Sequence, residues 1–184
     1  MWVRKGYYYV RHKIKRVSQL IAESAQADAM VIELSTMIDA PIQVCFDLSR
    51  SIDLHIESTK QTGEKAIAGR TSGLIKMGES VTWRAKHFGV WQNLTSKITE
   101  FKSPDYFTDE MVSGAFKSFR HEHLFFALNN QTVMKDIFTF ESPLGWLGRV
   151  ANMLLLGRYM ERLLTERNRV IKVAAENTNG RNIN

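Results

Sequence analysis

The sequence predicts an α+β fold: a seven-stranded, curved antiparallel sheet wrapped round one long C-terminal helix, with two short helices after the first strand. Successive runs before Glu141 alternate apolar and polar residues, the period of a half-buried strand. Ser142-Pro143-Leu144-Gly145 then opens a helical pattern that continues to about Glu176. Length supplies a third observation. Roughly 33 helical residues at 1.5 Å each span about 50 Å, whereas seven strands at ~4.8 Å spacing make a sheet about 34 Å across. The helix can therefore cross the whole concave face and enclose a hollow, the shape of a protein that holds a small molecule.

The elements follow in order. Val31 to Ile38 alternates, with Ile32, Leu34, Thr36 and Ile38 on one face. Pro41 opens a short helix to Leu48, where its missing N–H costs nothing, and Ser51 caps a second to Ser58. Strands are expected at Glu64–Leu74, Ser80–His87, Trp91–Phe101, Tyr106–Ser113, Lys117–Leu128 and Thr132–Glu141. Turn chemistry separates them at Phe88-Gly89-Val90, Ser103-Pro104-Asp105 and Asn129-Asn130. Ser142 is the expected N-cap of the last helix, with Pro143 in its first turn. The first half of that helix is apolar almost all round. Its second half turns Met160, Leu163, Leu164 and Ile171 inward and Arg162, Arg167 and Lys172 outward, while Gly157 leaves room for close backbone contact or for ligand.

The chain has 184 residues, 44% of them hydrophobic and 24% charged, the balance of a folded globular domain. No apolar run is long enough to span a bilayer. The one cysteine, Cys45, cannot form an internal disulfide and serves as a packing residue, which fits a cytoplasmic setting. Net charge is +6, but residues 1–29 carry +4 of it, so the rest is nearly neutral and offers no phosphate-tracking stripe. Nucleic acid is therefore not an expected partner. Residues 1–29 form a basic extension in which Val3, Tyr7, Val10, Ile14, Val17 and Ile21 share a helical face. It is either an amphipathic helix for peripheral contact with an anionic membrane or a dispensable leader, Met30 being a natural start. Residues 30–177 form the ligand-binding domain and 178–184 a disordered tail.

Alternation decides which side chains face the hollow. Met134, Asp136, Phe138 and Phe140 share the apolar face of the last strand, so Asp136 points in. Phe119, His121, His123 and Phe125 do so in the strand before it. The same logic turns in Phe107, Asp109 and Met111, then Gln92, Leu94 and Ile98, then Val81, Trp83 and His87, leaving Arg84 and Lys86 outside. If Leu128 pairs with Gln131 across Asn129-Asn130, His123 stands opposite Asp136. Pairing of Phe88 with Trp91 would set His87 opposite Gln92, and Asp109 would face His121 or His123.

Several motifs carry a family resemblance: Ile38-Asp39-Ala40-Pro41 before a short helix, Thr82-Trp83-Arg84-Ala85-Lys86-His87-Phe88-Gly89, Phe119-Arg120-His121-Glu122-His123, and Asp136 through Phe140-Glu141-Ser142-Pro143-Leu144-Gly145. Residues 30 to about 177 resemble the SRPBCC superfamily of START lipid-transfer domains and pollen-allergen-like proteins, in particular its bacterial polyketide-cyclase-like ligand-binding subgroup. The resemblance implies the helix-grip fold and a hydrophobic ligand cavity between sheet and helix. It leaves activity open, because that superfamily includes transporters, cyclases and hormone receptors.

The expected ligand-binding residues are Trp83, His87, Gln92, Asp109, Met111, His121, His123, Asp136, Phe138, Met153 and Gly157. Four readings of the inward polar groups compete. They form a self-satisfied ladder, a polar floor that orients an apolar ligand, an acid/base pair of His123 and Asp136 as in a cyclase or dehydrase, or a metal site. For the last, His121-x-His123 offers two ligands, but sequence spacing supplies no third. No cofactor motif is present, no Ser-His-Asp arrangement or phosphate loop is visible, and no catalytic residue beyond that candidate pair stands out.

Overall fold

The computed structural model describes residues 29–141 and 146–181, with side chains in the final helix from Leu155 to Thr178. The basic extension up to residue 28, the Ser142 cap, Pro143 and the Met153 side chain lie outside the described residues. The elements are β1 (Ala29–Ile38), α1 (Ile42–Ser49), α2 (Ile52–Ser58), a 3-10 turn (Lys60–Thr62), β2 (Lys65–Gly69), β3 (Ser80–His87), β4 (Val90–Lys102), β5 (Tyr106–Ser113), β6 (Ser118–Leu128), β7 (Gln131–Glu141) and α3 (Trp146–Arg181). The sheet is antiparallel throughout in the order β1-β7-β6-β5-β4-β3-β2. This is the helix-grip fold.

Short-range chemistry explains the two small helices. Pro41 stands at the N-cap of α1, and Ser51 caps α2 by accepting a hydrogen bond from the Leu54 N–H at 3.2 Å. Helix α1 buries Cys45, Phe46 and Ser49. The Phe46 ring meets Phe101, Phe107 and Phe125 edge-on at 5.3, 5.7 and 5.5 Å, so α1 plugs one end of the concave sheet with aromatic core. A second apolar cluster, formed by Ile32, Phe119, Phe138, Phe140 and Leu164, occupies the region toward α3.

The α3 backbone approaches β1, α1 and α2 most closely, while its side chains reach toward the middle of the sheet, Leu164 joining Phe119 and Phe138. At Gly157 a Cβ would lie 2.6 Å from Met30 Sδ, so the glycine permits a close approach of α3 to β1. Clamped on that side, the helix stands off from β3 to β6. The gap is the hollow.

Four local expectations are corrected. Strand β2 stops at Gly69 instead of Leu74. A bulge lies between Ala66 and Ala68, and Gly69 (φ +73°) brings its backbone so close to Ser80 that a Cβ would sit 2.2 Å from the Ser80 carbonyl oxygen. The β3–β4 turn is Phe88-Gly89, both residues at positive φ, so His87 pairs with Val90 and Gln92 with Ala85. The slip is two residues, so both side chains keep their inward face. A register shift between Ile98 and Glu100 reverses alternation and turns Phe101 into the core. Helix α3 reaches Arg181 rather than about Glu176; Thr178 Oγ1 donates back to the Ala174 carbonyl at 2.8 Å, and no proline interrupts the pattern.

Candidate functional site

A hollow of about 440 Å³ lies between the concave sheet and α3. Trp83, Ala85 and His87 of β3 line one wall, with Gln92, Leu94 and Ser96 of β4 beside them. Leu156, Met160, Leu163 and Leu164 of α3 form the opposite wall, and Phe116, Phe119 and Phe138 close the apolar end. Phe88 and Leu155, 68% and 66% exposed, also border it, so the hollow reaches the surface between the β3–β4 turn and α3. At this rim His87 Nδ1 and the Tyr159 hydroxyl share a 2.7 Å hydrogen bond, while the Phe88 ring leans on Tyr159 at 4.8 Å.

The floor is polar and comes from three adjacent strands. The Asn129-Asn130 turn, with Asn129 at φ 55°, pairs Leu128 with Gln131, and the register then brings His123 opposite Asp136 as expected. Between β5 and β6, Asp109 stands opposite His121. Asp136, fully buried, is the hub. Its Oδ1 accepts from His123 Nδ1 at 2.7 Å, from His121 Nε2 at 3.1 Å and from Arg167 Nη1 at 3.4 Å, and its Oδ2 accepts from Asn168 Nδ2 at 2.7 Å. Asp109 Oδ1 lies 3.1 Å from His123 Nε2 and 4.0 Å from His121 Nδ1.

Electrostatics follow from this packing. Burial pushes the Asp136 pKa upward, but hydrogen bonds from both imidazoles and the charge of Arg167 outweigh it and hold the carboxyl well below its usual range. Asp109 is likewise lowered, burial being overcome by its hydrogen bond with His123 and by the charge of Arg167. Burial and the adjacent His123 lower His121 to about 4 against the pull of both carboxylates, so His121 is neutral at pH 7. Nearer the rim, Glu64 faces His55 at 3.3 Å, and His55 stacks on Trp83 with ring centroids 4.2 Å apart. Burial opposes ionisation of Glu64, yet the His55 contact and the Thr59 hydroxyl bring its pKa below the ordinary value. His87 is lowered, mainly by burial.

Of the expected ligand-binding residues, Trp83, His87, Gln92, Asp109, His121 and Phe138 line the hollow. His123 borders only a smaller adjoining cavity of about 100 Å³, and Asp136 borders neither. The pair considered for acid/base chemistry is thus set behind the floor. Met111 packs into the core cluster around Phe119, and Gly157 faces β1; neither lines the hollow. The largest correction concerns Arg167. Expected outside, it is 6% exposed, borders both cavities and donates to the Ser49 carbonyl at 2.8 Å. Asn168, His55, Glu64 and Tyr159 were not anticipated either. A signal for Arg167 exists: it falls three residues after Leu164 and four before Ile171, on the buried stripe itself.

Sequence spacing offered two metal-ligating histidines and no third donor; the fold supplies Asp109. One ligand atom from each of Asp109, His121 and His123 lies within 4.8 Å of the others.

No family model matches the chain, and no curated protein matches it. Solved structures do. The Zhui aromatase/cyclase from Streptomyces sp. R1128 superposes with a TM-score of 0.66 at 12% identity, over 80% of this chain and 94% of that one. A START superfamily protein from Mycobacterium smegmatis gives 0.62 at 9% identity, over 80% and 98%. Ginseng major latex-like protein 151 from Panax ginseng gives 0.58 at 16% identity, over 81% and 99%. At these identities the likeness is one of fold, and the fold is of the SRPBCC type.

Proposed function

We propose that this chain, built on an SRPBCC-type fold, binds a hydrophobic or amphipathic small molecule in the hollow between the sheet and α3. The observation that carries this reading is a 440 Å³ space with apolar walls and a few convergent polar groups at its floor, the usual composition of a small-molecule site. The apolar body of the ligand packs between Trp83, Phe119 and Phe138 on the sheet and Leu156, Met160 and Leu163 on the helix. A hydroxyl or carbonyl on it meets Asp109, His121 or Gln92. The similarity to a START superfamily protein and to an aromatase/cyclase supports a ligand of this general kind. A cytoplasmic setting belongs to this reading; Cys45 is buried and free, and among the described residues no helix is long and apolar enough to cross a membrane.

Native mass spectrometry of freshly purified protein tests the proposal, followed by titration of the stripped protein with 1-anilinonaphthalene-8-sulfonate. A co-purified mass is expected, or saturable dye binding that Ala115→Trp, a change at a residue lining the hollow, abolishes without lowering the melting temperature. A chain that carries nothing and leaves the dye unbound overturns it.

A second reading has one observation in its favour. Phe88 and Val90 at the β3–β4 turn and Leu155 on α3 expose apolar surface around the mouth, a surface suited to collecting a ligand from a lipid interface. Co-sedimentation with vesicles containing anionic lipid should then fall in Phe88→Ser/Leu155→Ser. Unchanged sedimentation removes this reading and leaves the first intact.

A further inference from the structure

We infer that Asp109, His121 and His123 form a binding site for a divalent first-row transition ion of the Zn²⁺ class, with Asp136 as the carboxylate that orients both imidazoles. This inference is independent of which organic molecule fills the hollow. It begins with hydrogen-bond polarity. An ionised carboxylate only accepts, so the ring nitrogens that face Asp136 Oδ1, His121 Nε2 at 3.1 Å and His123 Nδ1 at 2.7 Å, both carry hydrogen. The other ring nitrogens, His121 Nδ1 and His123 Nε2, are left to face Asp109. They lie 4.0 and 3.1 Å from Asp109 Oδ1, so the three residues turn one ligand atom each toward a shared space. The 3.1 Å contact of His123 Nε2 with Asp109 is a hydrogen bond, and a metal ion that displaces its proton would gain all three atoms as ligands.

Local charge leads the same way. Two carboxylates, Asp109 at 19% exposure and the fully buried Asp136, stand beside these imidazoles with the Arg167 guanidinium next to Asp136, a donor set that favours a bound cation. The distances fit a metal as well. With metal–ligand bonds of about 2.0–2.2 Å, neighbouring donors in a tetrahedral site lie roughly 3.4 Å apart; the two Asp109 spacings of 4.0 and 3.1 Å bracket that value, and all three donors lie within 4.8 Å of one another. An imidazole ligand that donates its second N–H to a carboxylate is the common outer-shell arrangement of a bound metal. Here a single carboxylate serves two imidazoles. Two nitrogens and one oxygen suit zinc, iron or cobalt better than magnesium or calcium.

Access is available. Asp109 and His121 line the large hollow, and all three donors line the smaller cavity next to it. An ion held there would keep an open coordination position toward the hollow, where a ligand's oxygen can bind.

The test uses the full chain, stripped with chelator and titrated with Zn²⁺ by calorimetry and with Co²⁺ by visible absorption. The expected result is one ion per chain, a raised melting temperature, and cobalt d–d bands of a low-coordinate site. Asp109→Asn and His121→Gln should each lower affinity at least tenfold. Asp136→Asn should weaken it by about 10–100-fold through lost orientation. His87→Gln at the rim should leave it unchanged. Circular dichroism and unfolding curves check that each variant is folded, and the wild-type stoichiometry decides the matter even if one is not. Absence of stoichiometric binding to the wild type, undiminished affinity in folded Asp109→Asn and His121→Gln, or loss of binding in His87→Gln would each overturn the inference.

Discussion

Replacing Arg167 with methionine separates two accounts of the final helix. The guanidinium is 6% exposed, donates to the Ser49 carbonyl at 2.8 Å and lies 3.4 Å from Asp136 Oδ1. Arg167→Met keeps an unbranched apolar stem but removes both interactions. The Ser49 carbonyl becomes a buried acceptor without its donor, a loss of about 1–3 kcal/mol. Asp136 keeps His121, His123 and Asn168 but loses its cationic partner, and breaking a buried ion pair from one side costs about 3–5 kcal/mol in all. These effects overlap, so the expected destabilisation is about 4 kcal/mol, a fall in melting temperature of roughly 8–16 °C for a chain of this size. Urea unfolding followed by tryptophan fluorescence measures it directly. Adding Asp136→Asn completes a double-mutant cycle, in which a coupling of about 0.5–3 kcal/mol is expected for groups in one buried network. A loss within about 0.5 kcal/mol, the usual cost of a surface substitution, would mean that Arg167 faces water and that the polar floor is not tied to the helix.

Other outcomes follow from single contacts. Glu64 has its pKa lowered in the fold, so its contribution to stability is present above the ordinary value of 4.5 and is lost as pH falls through the folded pKa. Glu64→Gln should therefore cost roughly 1–3 kcal/mol at pH 7 and flatten the acid limb of the melting-temperature profile; parallel profiles would argue against the His55 contact. Gly69→Ala puts a Cβ 2.2 Å from a backbone oxygen at a φ of +73°, and thermal unfolding should show a loss of more than about 2 kcal/mol. Burial raises the Cys45 thiol pKa, so a disulfide reagent should label it only after unfolding; rapid labelling of the native chain would contradict its place under the sheet.

The inward faces of β1, β3, β5, β6 and β7 were legible in the sequence because side-chain direction in an unbulged strand depends on residue parity, whereas the bulges of β2 and β4 break that rule. His123 opposite Asp136 was legible for a related reason: a two-residue turn sets the register of its whole hairpin, and Asn129 tolerates the positive φ that the turn needs. The β3–β4 turn escaped the same treatment. It asks a phenylalanine, Phe88, to take positive φ, and that ring rests on Tyr159 of a helix 71 residues away. Arg167 escaped because an amphipathic template places every cation outward, and no local rule contains the carbonyl of Ser49, 118 residues distant.

By itself, then, the sequence determined the order of elements, the curved sheet, and the set of imidazoles and carboxylates that share its concave face. Tertiary structure decided which of those groups meet the hollow and which stand behind it. Asp109 and His121 border the space, whereas Asp136 is sealed beneath His121, His123, Arg167 and Asn168. Depth of this kind depends on bulges, on the curvature of the sheet and on how closely α3 approaches β1 at Gly157. Those are distances between elements remote in the chain, and the periodicity of any one element does not encode them.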